Sequence, residues 1–148
     1  QKLRTAIINN NEGAFKQILQ SEKLDVNGIV DNSTPLLFSI DYGRSKMVNL
    51  LLEQPGIDVN KQSFYKDTPL SSAVYTKNSE IIKMLLKTPN IEVNQYASFE
   101  EFTPLYLAIE YENIEIVMLL LAHPNINVNL ANESSYLPLY FSFKLSSQ

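Results

Sequence analysis

No cysteine occurs among the 148 residues. That excludes disulfides and thiolate-bound metal, and it fits an intracellular setting, cytoplasmic or nuclear. Tryptophan is also absent, and there is one histidine, His123. His123 precedes Pro124 and reads as an exposed residue at a helix end; no nucleophile turn accompanies it. Metal centres need clustered His, Cys or carboxylates. Glu110 and Glu112 fall on different helix faces and Glu100-Glu101 is a loop pair, so neither a metal site nor a cofactor is expected. With only four glycines there is no phosphate-cradling loop. No apolar run approaches the ~20 residues of a membrane span; the longest, Ile116–Ala122, suits a buried helix face. No charged-then-apolar leader opens the chain. Because it begins at Gln1 and in repeat phase, it reads as a segment of a longer polypeptide.

Basic charge is also scarce in one half. The net charge of −4 argues against a nucleic-acid binder, which must neutralise phosphates. Residues 1–87 balance to +2, whereas residues 88–148 hold Lys144 as their one base against seven acids, a balance of −6. The acidic half can steer a basic partner or simply form a solvated surface.

What is present is a repeat. Thr34-Pro35-Leu36, Thr68-Pro69-Leu70, Thr103-Pro104-Leu105 and Leu137-Pro138-Leu139 start 34, 35 and 34 residues apart. A second landmark is Leu24-Asp25-Val26-Asn27, then Ile57-Asp58-Val59-Asn60, Ile91-Glu92-Val93-Asn94 and Ile126-Asn127-Val128-Asn129. These are spaced 33, 34 and 35. A third is an apolar run around Leu50-Leu51-Leu52, Met84-Leu85-Leu86 and Leu119-Leu120-Leu121. Such recurrence marks stacked units that bury one another's apolar faces. The unit bounds are about 1–33, 34–67, 68–102 and 103–136, with a partial unit at 137–148.

Each unit predicts two short helices. Proline suits a first helical turn, and the preceding threonine can cap it. Leu36/Ser39/Ile40, Leu70/Ala73/Val74 and Leu105/Ala108/Ile109 form buried stripes at helical spacing. The small stripe residues Ala6, Ser39, Ala73, Ala108 and Ser142 would let helices approach closely. A second helix starts near Glu12, Ser45 or Ser79 and stops before Pro55, Pro89 or Pro124. Short extended pieces then lead through a hairpin loop to the next unit. The fold class is therefore all-α: a helical solenoid of stacked helix–turn–helix units with protruding β-hairpin loops.

The combination of Thr-Pro-Leu-x-x-Ala/Ser, an apolar second helix and a closing Val-Asn resembles the ankyrin repeat family over the whole chain. The resemblance implies a non-catalytic, monomeric interaction module or scaffold. On that resemblance it is expected to bind a protein partner on the concave side, and neither nucleic acid nor membrane is expected as a partner. The alternative is a structural or regulatory segment of a larger multidomain protein. Three departures stand out. The family's histidine after Thr-Pro-Leu is Leu37, Ser71, Tyr106 and Tyr140, so its bridging hydrogen bonds are expected to be missing. The glycine ending the first helix survives only as Gly43. Lys77 and Glu112 replace it elsewhere, and the left-handed turn is expected to shift to Asn78 and Asn113. Pro-Gly-Ile or Pro-Asn-Ile stands before the Asp-Val-Asn segment. The asparagine closing each Val-Asn is read as bonding the backbone of its turn.

Mapped onto this sequence, the family's contact positions are Asp31, Ser33, Asp41 and Tyr42, then Phe64, Tyr65, Asp67, Tyr75 and Thr76. Phe99, Glu100, Phe102, Glu110, Tyr111 and Tyr136 follow. Tyrosine and phenylalanine are frequent interface anchors, and acids beside them favour a basic partner. Phe64, Phe99 and Phe102 serve equally well as packing between adjacent hairpins.

Overall fold

The computed structural model describes residues 2–21, 24–98 and 100–130. Phe99, Tyr136 and the partial unit at 137–148 lie outside the described residues. Eight helices and no strand occur among those described. The first helices are α1 (Lys2–Ile8), α3 (Pro35–Asp41), α5 (Pro69–Tyr75) and α7 (Pro104–Glu110), each of 7 residues. The second helices are α2 (Glu12–Leu19), α4 (Ser45–Leu52), α6 (Ser79–Leu86) and α8 (Ile114–Leu121), each of 8. Helices within a pair pack together. First helices stack on first helices and second on second along the array.

The signals at the helix starts act as expected. Thr34, Thr68 and Thr103 are buried, and their hydroxyls accept from the backbone N–H of Leu37, Ser71 and Tyr106 at 3.1–3.2 Å. One departure from the family is repaired in part. Ser71 Oγ accepts from Thr68 N at 3.0 Å, closing a reciprocal capping box where the histidine is missing.

The turn between paired helices does not shift. Lys77 (φ 55°) and Glu112 (φ 53°) are themselves left-handed, at the position of Gly43 (φ 63°) and Asn10 (φ 51°). Asn78 and Asn113 instead cap the second helices, each side chain accepting from an N–H three residues on at 3.1 Å. Asn11 does the same for α2 at 3.0 Å. A cap needs a short acceptor side chain at that position, so the asparagine stays there. The preceding residue takes the left-handed conformation at a cost of about 1–2 kcal/mol.

A single core runs from Ala6, Ile7 and Phe15 to Ile116 and Leu120. All nine residues of the three stripes are buried. α8 is less covered: Leu121, Met118 and Ile114 are exposed, since a described second helix flanks it on one side only.

The expected β-hairpins are reduced to turns with two isolated bridges, Val30–Ser33 and Ala97–Phe102. Their tips are left-handed at Asp31-Asn32, Lys66, Ser98 and Glu101. Neighbouring tips are bonded, Phe64 N donating to Asn32 O and Ser98 N to Lys66 O.

The closing asparagines bond the next unit rather than their own turn. Asn27 Nδ2 donates to Gly56 O at 2.8 Å, and its Oδ1 accepts from Asp58 N at 2.8 Å. Asn60 bridges Asn90 O and Glu92 N, and Asn94 bridges Asn125 O and Asn127 N, at 2.7–2.9 Å. The Pro-Gly-Ile and Pro-Asn-Ile segments therefore supply the acceptors for a ladder of asparagines. One amide fills a donor and an acceptor of the neighbouring backbone at once, which sets the stacking register.

Candidate functional site

Between the first helices and the hairpin loops lies a groove of about 520 Å³. α3 contributes Asp41 at its C-terminal end, α5 contributes Ser72 and Tyr75, and Thr76 caps α5. Leu107 of α7 and Tyr111 just beyond it form the next part of the wall. The loops bring Asp67, Ala97, Ser98, Glu100 and Phe102. These residues are far apart in sequence and meet only because the units stack.

Ser72 Oγ donates to Asp41 Oδ1 across 31 residues. Asp41 keeps solvent access, yet desolvation raises its pKa above the ordinary 3.8. The Ser72 bond opposes that rise and the nearby Asp67 charge adds to it. Asp67 is held by its own loop: Ser63 Oγ donates to Asp67 Oδ2 at 3.2 Å, and Ser63 N donates to Asp67 O at 3.0 Å. Tyr75 is 69% exposed and meets Tyr111 edge to face, with centroids 6.0 Å apart. Lys77 Nζ lies 5.7 Å from the Tyr111 ring. The Tyr111 hydroxyl is raised in pKa by desolvation, then by Tyr75 and Glu110. No ion pair involves Asp41, Asp67 or Glu100 among the described residues.

Of the residues mapped in sequence, Asp41, Asp67, Tyr75, Thr76, Glu100, Phe102 and Tyr111 share this groove. Tyr42 does not: it stacks on Phe38 at 5.3 Å, 6.0 Å from the Arg44 guanidinium. Phe64 (67% exposed) and Tyr65 (53%) form an edge-to-face pair at a hairpin tip rather than a packed interior. Phe102 stacks flat on buried Tyr106 at 4.8 Å, so it serves packing and groove wall together. Glu110 is exposed at the end of α7, outside the groove lining. Ser72 and Leu107 line the groove without having been singled out in sequence; the polar pair Ser71-Ser72 inside an apolar stripe was the available signal. His123 is half-buried rather than exposed, its Nδ1 accepting from Asn125 N at 3.2 Å.

A second cavity, of about 310 Å³, lies between the first two helix pairs beside Arg4, Val30 and Phe38. Arg4 forms an ion pair with Asp31 and lies over the Phe38 ring at 4.9 Å. Among the described residues no group of three or more His, Cys, Asp or Glu side chains is arranged to hold a metal ion. None of the described helices is long and apolar enough to cross a membrane.

Comparison with protein families matches the chain to a model of ankyrin repeats (3 copies), over residues 3–97 and 59–132. A search of curated proteins finds no match.

Proposed function

Since the chain belongs to the ankyrin repeat family, whose members generally mediate protein–protein interactions and are generally non-catalytic, we propose that it captures a basic protein partner in the Tyr75–Tyr111 groove. One observation carries the reading: exposed Tyr75, edge to face with half-buried Tyr111, stands beside three acids that no base among the described residues pairs with. Exposed aromatics supply anchor area at low entropic cost, and unpaired acids select partner charge. The module acts as a monomer without catalysis or cofactor, in the cytoplasm or nucleus. It serves equally as a regulatory segment of a larger protein.

The test compares affinity capture by the intact chain with capture by the double variant Tyr75→Ala/Tyr111→Ala. The expected outcome is loss of the partners held by the intact chain at unchanged helical circular dichroism. Retention of the same partners would remove the groove from consideration.

A further inference from the structure

We propose that the groove takes the guanidinium of an arginine borne by an extended segment of the partner, an inference that rests on the groove being the binding face. Charge complementarity points there first. Asp41 and Asp67 face one cavity, and each has one oxygen already held, Asp41 by Ser72 and Asp67 by Ser63. The second oxygen of each has no partner among the described residues. Two carboxylates that each lack a cation repel one another, and the raised pKa of Asp41 reflects this after desolvation.

The molecule itself shows how such a place is filled. Between the first two helix pairs an acid and an aromatic ring, Asp31 and Phe38, share one guanidinium, that of Arg4. The groove holds the same ingredients, with Tyr75 and Tyr111 as the rings, and no arginine. Lys77 lies by one ring but pairs with neither Asp41 nor Asp67. Arginine rather than lysine follows from shape. A planar fork donates to two carboxylates in different directions while its face lies on a ring; an ammonium is a compact, strongly hydrated charge. A cavity of about 520 Å³ admits that side chain with its flanking backbone.

The experiment pans random phage-displayed peptides on the full 148-residue chain. Enriched sequences are then measured by fluorescence anisotropy as synthetic peptides. The expected result is an arginine at a constant place in the enriched sequences. Replacing it by citrulline, its neutral isostere, should lower affinity roughly tenfold or more, and lysine should fall between. Asp41→Asn/Asp67→Asn should abolish the preference for arginine over citrulline while circular dichroism stays constant. Peptides that need Tyr75 and Tyr111 but show no such preference overturn the arginine and leave the groove standing. Peptides indifferent to Tyr75 and Tyr111, or no enrichment at all, overturn both.

Discussion

Arg4 and Arg44 close the first part of the array from within, whereas nothing comparable closes its middle. Arg4 neutralises Asp31 and covers Phe38. Arg44 donates through Nε to Ile7 O at 2.9 Å and through Nη2 to Ile8 O at 2.8 Å. It thereby satisfies carbonyls at the end of α1 while standing beside the Tyr42 ring. From Asp41 to Tyr111 the backbone repeats the same plan, but Asp41, Asp67 and Glu100 pair with no base among the described residues. One stacking geometry thus supports a self-satisfied region and an open one. The difference rests on a few side chains pointing into the groove. None of the eleven bases in residues 1–87 lines the groove, and none occurs in 88–143.

The largest expected effect breaks the closed region. Arg44→Ala removes a cation hydrogen-bonded to two helix-end carbonyls, one of those bonds partly buried. Unfolding by urea should show a loss of about 2 kcal/mol. A loss near zero would mean that the first pair is held by apolar packing alone.

A smaller effect tests whether both regions bear the same backbone cost. Lys77→Gly and Glu112→Gly each relieve a left-handed side-chain-bearing residue and should each raise stability by up to about 1 kcal/mol. Gly43→Ala should lower it by about 1 kcal/mol. Thermal unfolding of the three variants checks this, and the same sign in all three would defeat the equivalence of these positions.

The smallest effect concerns the open region itself. The raised pKa of Asp41 means that the folded chain binds this proton more tightly than the unfolded chain does. Stability contributed by the group is therefore present in acid and lost as pH rises through the carboxylate range. Asp41→Asn should then match or slightly exceed the parent in thermal midpoint at pH 7, with Asn still able to accept from Ser72. That advantage should vanish as pH falls below 3.8, the ordinary carboxylate value. A stable parent and a weakened variant at pH 7 would show that Asp41 is stabilising as an ion.

Much of the architecture was legible in the chain. The Thr-Pro starts, the stripes at helical spacing and the Pro stops are local signals: α3, α5 and α7 begin at a Thr-Pro, and α4, α6 and α8 end shortly before a proline. The turns were less legible. Lys77 and Glu112 are poor left-handed residues by propensity, yet the capping demands on Asn78 and Asn113 and the packing of the paired helices hold them there. The hairpin loops were legible as loops, but only tertiary structure decides how little they pair: two isolated bridges, Val30–Ser33 and Ala97–Phe102, among the described residues. In the site, Asp41, Tyr75 and Tyr111 could be mapped by their place in the repeat. Ser72 emerged only when its hydroxyl met Asp41 across adjacent helices, and Tyr42 lies outside the groove, beside Phe38 and Arg44.

By itself, then, the sequence determined the repeat, its period, the helix pairs and the apolar faces, since these depend on contacts a few residues apart. Tertiary structure alone decided which asparagine oxygens bind which neighbouring turn, which acids pair with a cation and which tyrosines meet in the groove. Those outcomes depend on atoms about thirty residues apart, brought together only when each unit stacks on the next.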